Sequence, residues 1–452
     1  MEAGSIEEAE TRIRPSMESC TDPYLRCAFY GAALTALGVS GSALLAHSPQ
    51  GCDYLVNNAF AAQECDYIET MTLCTKLCVD EIVHGGEEAL ARTIREVKGL
   101  PISCLFVISA CGPEIVGDDI NAVCEMLQPE MQCRLIPIAS AGFRGSQYDG
   151  IDIALDSILK RLSSQDAEKV PGSVCLIAPH ANANPTWPAD LAWVEQVLSR
   201  MGVPVVATLA HRTPISEIMN AAAAETSIVL SHDAGQKAAE YLHDAHGVEP
   251  ICQGIPLPIG MTNTQRWLLA LGERFDRLKI AEEIISEGEQ MVMAACRQKW
   301  PVARFLYRIP AAIVADATVG IPLVRFVTED MEMTPALVAL YTSTRSVRDL
   351  LAQELGSLGL SPEVVYGTDV YKTRQRIRDV KPRIVFGSTI ERHASEGVPV
   401  AYVVEVVRPM RQFRLIDREY FGYTGILNLF EAVQNEWTMA WRSKEKRYSA
   451  KW

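Results

Sequence analysis

Short apolar runs rich in β-branched residues recur along the chain, and longer stretches with helical spacing lie between them. The clearest helical stretches cover 190–201 and 346–355, and the second is expected to end at Gly356. Continuous apolar runs of this length predict strands buried on both faces, as in a parallel sheet. We predict such strands at 104–109, 173–178, 204–208, 226–231, 311–315, 337–341, 383–386 and 401–406.

Strands and helices alternate in three sets, which predicts an α/β fold of three Rossmann-like domains with parallel sheets. The polar stretch 163–171 and the segment 298–310 mark the boundaries, and 268–297 predicts one long helix or two. The expected domains are a cysteine-rich one at 1–165, a second with linking helices at 166–300, and a third with a C-terminal helix and tail at 301–452.

The overall composition is that of an ordinary globular enzyme, with 48% hydrophobic and 22% charged residues. No apolar run approaches the roughly 18 to 20 residues that span a bilayer. The acidic N-terminus also lacks the features of a signal peptide, so a cytoplasmic location is expected. A net charge of −14 argues against a nucleic-acid partner, which would need a basic face. The basic run 442–447 is expected to be a solvated tail.

The cysteines are unevenly distributed. An odd total of 13 without an export signal argues against a disulfide framework. Free cysteine packs well as a small hydrophobe, but packing explains single positions better than it explains crowding in one region. Soft-metal chemistry is the better interpretation of the ten in the first third: Cys20, Cys27, Cys52, Cys65, Cys74, Cys78, Cys104, Cys111, Cys124 and Cys133.

Three of these thiols, Cys27, Cys52 and Cys111, combine an expected loop or element end with a nearby glycine. Free backbone amides at such places can donate to cluster sulfides, and iron keeps the thiolates deprotonated. Cys111 also follows the strand predicted at 104–109, where α/β sheets bind ligands. Three ligands are one short of the four that usually hold a small cluster, so another chain or a second copy must complete it. Taken alone, three dispersed cysteines are a weak signal, and plain packing is favoured over a metal site for them.

Short motifs surround these three thiols. They are Gly31-Ala32 and Ala36-Leu37-Gly38 after Cys27, the loop from His47 to Cys52, the pair Gly85-Gly86, Cys111 with Glu114 and Gly117-Asp118-Asp119, and the segment Gly142 to Ser146. In this order they resemble component 1 of nitrogenase and its relatives, including the dark-operative protochlorophyllide reductases. The resemblance covers essentially the whole chain, and the spacing of Cys27 and Cys52 suits the β-type subunit.

The resemblance implies that Cys27, Cys52 and Cys111 ligate an iron–sulfur cluster shared with an α-type partner subunit. A P-type cluster of composition 8Fe-7S is favoured, and a 4Fe-4S cluster is the alternative. An α2β2 heterotetramer is implied. A separate ATP-dependent iron protein would supply electrons, since this sequence has no Gly-rich ATP-binding loop.

Both ligands by which the family's α-type chain holds its large cofactor are missing from this sequence. Alignment puts Ser231, with His232 beside it, at the place of the cofactor cysteine. No histidine follows His393, although the family's second ligand precedes the turn that is Gly422–Gly425 here. The chain therefore resembles the β-type subunit, which relays electrons and carries no catalytic residue. Gly142 replaces a serine that can bind the oxidised cluster, so that ligation is not expected.

The segment 53–65 departs from dinitrogen-fixing β chains and favours the divergent nitrogenase-like reductases, with methylthio-alkane reductase first. That class releases methanethiol and a hydrocarbon from small methylated sulfur compounds. The alternatives are a nitrogenase β subunit, a tetrapyrrole reductase subunit, a cofactor-assembly scaffold and a metal-free α/β protein. Scaffold β-type chains tend to lose part of the cysteine set, which is complete here.

Two further thiols, Cys74 and Cys78, lie one helical turn apart, but they lack a second pair at zinc spacing. Packing is therefore favoured for both. Background roles are also favoured for Cys20 and Cys65 over an effect on the cluster.

Polar residues near the motifs allow ordinary roles. His47 has either a hydrogen-bonding role behind Cys52 or a simple loop role. Asp118 and Asp119 are expected to cap a helix. Surface or core roles are favoured for His180 and His211, because no nucleophile pairs with either.

Overall fold

The computed structural model describes residues 25–61, 71–179, 185–209, 212–298, 306–367, 369–395, 402–408 and 416–444. Within them, each pair of neighbouring strands is parallel. Parallel strands need crossover connections, which the intervening helices provide. Some predictions concern residues outside these ranges: the tail after Lys444, Cys20, Cys65, His180 and His211.

The first part of the chain forms a parallel sheet. Its elements are α1 (Ala28–Leu37), β1 (Val39–Ser40), β2 (Ser42–His47), α2 (Gln50–Ala61), β3 (Met71–Cys74), α3 (Val79–His84), α4 (Glu87–Glu96), β4 (Cys104–Ser109), α5 (Cys111–Val116), α6 (Ile120–Leu127), β5 (Arg134–Ala139) and α7 (Gln147–Leu162). The strand order is β3–β2–β4–β5. Strands β2 and β4 are buried along their whole length, as expected when helices cover both faces. The strand predicted at 104–109 is confirmed, whereas β2, β3 and β5 were not predicted.

The middle part forms a second parallel sheet in the order β10–β9–β6–β7. Its elements are β6 (Val170–Ile177), α8 (Trp187–Met201), β7 (Val205–Leu209), β8 (Thr213–Pro214), α9 (Ile215–Asn220), β9 (Ala224–Val229), α10 (Gln236–His246), β10 (Glu249–Ile251), α11 (Met261–Arg274) and α12 (Leu278–Gln298). Strand β8 pairs with β1 of the first part. The helical region 268–297 is two helices, and Asp276 stands between them with φ 56°.

The last part forms a third parallel sheet in the order β13–β12–β11–β14–β15. Its elements are β11 (Pro310–Ala315), α13 (Ala317–Arg325), β12 (Thr334–Leu340), α14 (Arg345–Leu358), β13 (Glu363–Tyr366), α15 (Val370–Val380), β14 (Ile384–Gly387), α16 (Thr389–Ala394), β15 (Tyr402–Glu405) and α17 (Gly422–Lys444). The helix end predicted at Gly356 is wrong. Helix α14 continues to Leu358 and ends at Gly359, whose φ of 65° glycine adopts without strain.

The three sheets share their apolar cores, which confirms the predicted α/β fold with three parallel sheets. One core cluster joins side chains of the first and second sheets, and a larger one joins the second and third. Of the helices in the described residues, none is long and apolar enough to cross a membrane.

The start of α17 is tied to α8 by a buried carboxyl group. Asp190 accepts hydrogen bonds from the backbone N–H groups of Tyr420 at 2.7 Å and Phe421 at 2.9 Å. The Thr186 hydroxyl donates to its other oxygen at 2.6 Å. Burial outweighs these bonds and raises the pKa of Asp190 from 3.8 to about 7.

This raised pKa predicts a pH-dependent stability. Between about pH 4 and 7 the unfolded chain releases the Asp190 proton while the folded chain keeps it, so the free energy of unfolding falls as pH rises. The loss should reach on the order of 4 kcal/mol by pH 8. Asp190→Asn cannot ionise and should not show this loss. In urea denaturation, the free energy of unfolding of the variant relative to wild type should therefore be higher at pH 8 than at pH 5. An equal difference between the two proteins at both pH values would contradict the assignment.

Candidate metal centre

One edge of the first sheet gathers the cysteines singled out in the sequence. The carboxyl ends of parallel strands share an edge, and ligands bind there in open α/β sheets. Helix α2 with Cys52 follows β2, and Cys111 follows β4 after a single residue. Cys27 belongs to no strand of this sheet, but it forms a bridge with Ser146 in the loop after β5. Its neighbour Ala28 donates to the Gly145 carbonyl oxygen at 2.9 Å.

Each of the three thiols stands at the start of a helix. Cys27 is the residue before the first turn of α1, Cys111 is the first residue of α5, and Cys52 is the third residue of α2. Helix N-termini carry partial positive charge and free N–H groups, which are suited to donating to a sulfur ligand. The prediction that these cysteines lie at element ends is confirmed.

Gly142 marks the point at which two of the sulfurs converge. A Cβ atom added to this glycine would lie 3.1 Å from the Cys111 sulfur and 3.2 Å from the Cys27 sulfur. The Gly142 N–H group donates to the Cys111 sulfur at 3.1 Å. A glycine here therefore leaves space beside both sulfurs and supplies an N–H donor of the kind that tunes iron–sulfur clusters.

Cys52 is half-buried and lies within electrostatic reach of the other two thiols. Burial first, and then the neighbouring thiols of Cys27, Cys111 and Cys74 in that order, together raise the pKa of Cys52 to about 11. Thiolates that oppose one another's ionisation are stabilised by a cationic metal centre, which takes up their negative charge.

These residues fit an iron–sulfur cluster better than a single ion. In the described parts of the chain, no three Cys, His, Asp or Glu side chains converge closely enough to hold one metal ion. A multi-iron cluster needs thiolates spread around a larger body, with N–H donors to sulfur. Two thiols around Gly142 and a third within electrostatic reach match that requirement.

Glu114 braces the two loops that carry Cys111 and Gly142. One of its oxygens accepts from the Ser109 hydroxyl at 2.6 Å and from the Ala141 N–H group at 2.9 Å. The other accepts from Arg144 Nε at 2.7 Å. The Glu114 side chain is 8% exposed. These bonds keep the loop of Cys111 next to the loop of Gly142, so that the Gly142 N–H group reaches the Cys111 sulfur.

A second brace lies behind the site. His47, fully buried at the end of β2, contacts Asp118 at 3.0 Å through Nε2 and Thr75 at 3.2 Å through Nδ1. Asp118 also accepts from the Gly86 N–H group at 2.9 Å. A hydrogen-bonding role for His47 is thus confirmed, linking β2 to the loop after α5. Asp119 caps α6 as predicted, by accepting from the Ala122 N–H group at 3.0 Å.

Two glycines bring α1, and with it Cys27, against α7. A Cβ atom on Gly31 would lie 1.8 Å from the Gln147 carbonyl oxygen, and one on Gly150 would lie 1.9 Å from the Ala28 carbonyl oxygen. The two helix backbones therefore touch at these glycines. No larger residue fits at either position without separating the helices.

Sequence reasoning missed the place of Cys74 and misjudged Cys78. Cys74 ends β3, beside β2, and its thiol is one of those that raise the pKa of Cys52. Cys78 is exposed, so the packing role predicted for it is wrong. It precedes α3, and its backbone N–H group donates to Glu81 at 2.9 Å. The place of Cys74 depends on the register of β3 against β2, which is a long-range feature that the local sequence does not show.

Large apolar side chains are exposed around the thiols, and we call this set the apolar rim. They stand on α2, α3, α5 and the turn at Gly142, that is, on elements that carry or flank the cysteines. Burying such side chains against another protein is favourable, and exposed groups of them mark interaction sites. The rim consists of Tyr54 (70% exposed), Val79 (76%), Val83 (63%), Ile115 (74%) and Phe143 (59%).

A second polar group, the junction cluster, lies where the three parts of the chain meet: Tyr148, Ser231, Asp233, Asp316 and Thr318. The Ser231 hydroxyl lies 2.9 Å from that of Thr318, and Asp233 accepts from the Thr318 N–H group at 2.7 Å. Burial, and then repulsion from Asp233, raise the pKa of Asp316 to about 8. Ser231, aligned with the α-type cofactor cysteine, is therefore already hydrogen-bonded within this cluster.

His232, next to Ser231, has a structural partner. Its Nε2 accepts a hydrogen bond from the Leu257 N–H group at 3.2 Å. Burial lowers the pKa of His232 to about 4, so the ring is neutral at physiological pH. Nε2 of His232, the histidine next to Ser231 in the sequence, is therefore occupied by this hydrogen bond.

The chain was compared with known proteins. It is 25% identical over 391 residues to the nitrogenase vanadium-iron protein beta chain of Trichormus variabilis, covering 79% of this chain and 81% of that one. It is 24% identical over 458 residues to the nitrogenase iron-iron protein beta chain of Rhodobacter capsulatus, covering 92% and 94%. The nitrogenase iron-molybdenum cofactor biosynthesis protein NifE of Clostridium pasteurianum is 25% identical over 271 residues. That match covers 59% of this chain and only 58% of NifE.

Among solved structures, "Nitrogenase Cp1 at pH 6.5" has the same fold, with a TM-score of 0.82 at 16% identity. That match covers 98% of this chain and 99% of the other. The model of the family described as nitrogenase component 1 type oxidoreductase matches residues 27–438, from the first of the three converging cysteines into the last helix. The fold agrees with this near-complete match, and the chain belongs to the nitrogenase component 1 type oxidoreductases.

Proposed function

We propose that this chain is the β-type subunit of a nitrogenase-like reductase and that Cys27, Cys52 and Cys111 hold its iron–sulfur cluster. Proteins of this family bind iron–sulfur clusters. The observation that carries the proposal is the meeting of the Cys27 and Cys111 sulfurs beside Gly142, with Cys52 within electrostatic reach. The similarity to nitrogenase beta chains favours an 8Fe-7S P-type cluster over a 4Fe-4S cluster, and with either one the three thiolates of this chain leave room for ligands from another.

The chain's own residues prepare this site. Gly142 donates its N–H group to the Cys111 sulfur at 3.1 Å, and Glu114 holds the two loops together. Cys27, Cys52 and Cys111 all stand at helix N-termini, where free N–H groups are available to donate to sulfur. When bound, the cluster would supply one-electron redox chemistry, relaying electrons from an ATP-dependent iron protein to a cofactor in the α-type subunit.

The partner we propose is an α-type subunit in an α2β2 heterotetramer. The apolar rim would lie against it, and burial of its side chains would exclude water from the cluster, which helps to set the cluster's potential. The junction cluster supports a β-type role, because Ser231 stands where the α-type chain has its cofactor cysteine and is hydrogen-bonded to Thr318. The cofactor histidine has no counterpart after His393, and His232 beside Ser231 is engaged by the Leu257 N–H group.

The substrates we propose are small methylated sulfur compounds, the methylthio-alkanes. Two electrons and two protons cleave the carbon–sulfur bond of R–S–CH3 to give R–H and CH3–SH, so a relay of electrons to the partner's cofactor meets the chemical requirement. The divergence of the segment after Cys52 from dinitrogen-fixing β chains supports this choice. A β subunit of a dinitrogen-fixing nitrogenase is the alternative, favoured by the similarity to vanadium-iron and iron-iron beta chains.

A second candidate function is cofactor assembly. The similarity to NifE, a cofactor biosynthesis protein, favours it. A scaffold passes its cofactor on and reduces no substrate. The complete set of three cysteines, two of which meet beside Gly142, supports the reductase.

The proposed function is tested with the chain co-purified anaerobically with its α-type partner. Iron protein, ATP and methylthioethane are added, and methanethiol and ethane are measured by gas chromatography. We expect both products to form, and only when ATP and iron protein are present. The Cys52→Ala complex should form equally well on size-exclusion chromatography and lose turnover by about tenfold or more, because the relay site is incomplete.

Other outcomes separate the alternatives. Ammonia from dinitrogen, without methanethiol from methylthioethane, would assign the dinitrogen-fixing function. Transfer of a cofactor to a second apo-protein, with no reduced product from either substrate, would assign the scaffold and overturn the reductase.

A further inference from the structure

We propose that a cavity between the second and third sheets binds a small amphipathic organic cation, an alkyl amine in its protonated form. The inference goes beyond the proposed function and does not involve the iron–sulfur site. The cavity, which we call the intersheet cavity, has a volume of about 350 Å³. Small-molecule sites in proteins have volumes of about 300 to 1,000 Å³. The intersheet cavity is therefore large enough to take a small ligand.

The intersheet cavity lies where α/β proteins commonly bind ligands. Val229 and Ile251, the last residues of β9 and β10, both line it. Gln236 at the start of α10 lines it from the second part of the chain, and Ser346 near the start of α14 lines it from the third. In open α/β folds, ligands bind outside the carboxyl ends of strands and often between domains. The place of the cavity thus favours a binding site.

The buried part of the cavity wall is apolar, and its side chains include Leu257, Trp267, Val347 and Leu350. An alkyl chain that contacts this surface is removed from water, which is favourable. A hydrated metal ion would gain nothing from such a wall. In the described parts of the chain, no group of three or more His, Cys, Asp or Glu side chains is placed to hold a metal ion either. The wall therefore selects an organic ligand.

The polar groups in the half-buried part of the wall are uncharged. The Leu257 N–H group donates to His232 Nε2 at 3.2 Å, and burial lowers the pKa of His232 to about 4. The neutral ring therefore carries its proton on Nδ1. Burial raises the pKa of the Cys252 thiol to about 12, so this thiol keeps its proton. Because neither group can pair with a charged head group, the charge of a bound ligand must lie at the mouth of the cavity.

The charged side chains at the mouth are acidic. Glu240 on α10 and Asp349 on α14 are exposed and line the cavity. Among the described residues that line it, none is a lysine or an arginine. Arg345 approaches Asp349 at 3.7 Å, but both side chains are exposed, and ion pairs of this kind are weak. The two carboxylates therefore attract a cation to the mouth and repel an anion.

An alkyl ammonium ion matches both parts of the wall. Its chain contacts the apolar side chains, while its head group stays at the mouth with access to water. The head group has three N–H donors, and the exposed amides of Gln253 and Gln353 offer oxygen acceptors beside the two carboxylates. A carboxylate or phosphate ligand of the same length would meet two negative charges and no cationic side chain from the described wall.

The test uses three probes with the same six-carbon chain and different head groups: hexylamine, 1-hexanol and hexanoate. Isothermal titration calorimetry of the full chain at pH 7, where an alkyl amine is protonated as lysine is, measures their binding. We expect hexylamine to bind at one site per chain, about tenfold more tightly than 1-hexanol, because two carboxylates act on its charge. Hexanoate should bind more weakly than either.

Variants at the mouth place the binding in the cavity. Glu240→Gln should weaken hexylamine by about threefold and leave 1-hexanol unchanged, and adding Asp349→Asn should remove the preference for the amine. Asp244→Asn is the matched control and should bind as wild type does, because it removes an exposed carboxylate of α10 that does not line the cavity. Ser346→Trp adds a large side chain at the exposed mouth and should weaken both hexylamine and 1-hexanol. Circular dichroism verifies that the variants fold.

Three results would overturn the inference. They are the absence of saturable hexylamine binding, affinities for hexanoate or 1-hexanol equal to that for hexylamine, and equal effects of Glu240→Gln and Asp244→Asn. Unchanged binding of both probes to Ser346→Trp would place them elsewhere and overturn it as well. None of these measurements involves iron or turnover, so their failure would leave the proposed function as it stands.

Discussion

Replacing Cys111 by alanine is expected to lower the iron content of the partner-bound chain by about tenfold or more, the largest functional effect that we predict. The Cys111 sulfur has three features that no other thiol combines in the described residues: a helix start, the Gly142 N–H donor and close approach to Cys27. Alanine removes the proposed metal ligand but leaves Glu114 to hold the two loops. Iron and acid-labile sulfide, measured per chain after anaerobic purification, test the prediction.

Cys124→Ala is the matched control for this variant. Cys124 is buried in α6 among apolar side chains of the first sheet's outer core. Its removal should lower the free energy of unfolding by about 1 kcal/mol and leave iron unchanged. Equal iron content in Cys111→Ala and Cys124→Ala would contradict the proposed ligand set. Cys111 would then behave like Cys124, a thiol whose only role is packing.

Replacing Gly31 in α1 by alanine is expected to lower the free energy of unfolding substantially. The added Cβ atom would lie 1.8 Å from the Gln147 carbonyl oxygen, so α1 and α7 must separate. Overpacking of this kind lowers the free energy of unfolding by about 3 kcal/mol. Urea denaturation measures the loss. Iron content should fall as well, because α1 begins at Cys27 and its displacement moves that sulfur.

Gly356→Ala is the matched control in another helix. Gly356 lies within α14, and a Cβ atom there meets nothing within 4 Å. Alanine should therefore raise the free energy of unfolding by about 0.5 to 1 kcal/mol, through a lower entropy of the unfolded chain and better helix propensity. If both substitutions destabilised the protein equally, the helix contact at Gly31 would not be the cause.

Much of the candidate metal centre could be predicted from the sequence because its parts are local. Cys27, Cys52 and Cys111 each carry their glycines and turn residues within a few positions, and Cys111 directly follows an apolar strand. The braces formed by Glu114 and Asp118 lie in the same motifs, although their partners do not. The hydrogen bonds that Glu114 accepts from Ala141 and Asp118 accepts from Gly86 join residues 27 and 32 positions apart. No local pattern predicts such pairs.

The strands that were missed have a common explanation. Strand β2 is short, contains alanine and serine, and ends in a buried histidine, and β3 is only four residues long at the sheet edge. Their apolar signal is weak, and pairing with β4 stabilises β2 where intrinsic propensity does not. Cys74 was assigned to packing for the same reason, since its place beside Ser48 depends on the register of β3 against β2.

By itself the sequence determined the α/β class, most buried strands of the second and third sheets, and the cysteine motifs, because periodicity and turn chemistry act between near neighbours. Only the tertiary structure decided that the Cys27 and Cys111 sulfurs meet beside Gly142, that Gly31 and Gly150 let two helices touch, and that Cys74 shares the sheet edge. Each of these contacts joins backbone segments that are far apart in the sequence. Such approaches are selected by the packing of the whole core, which no short segment encodes.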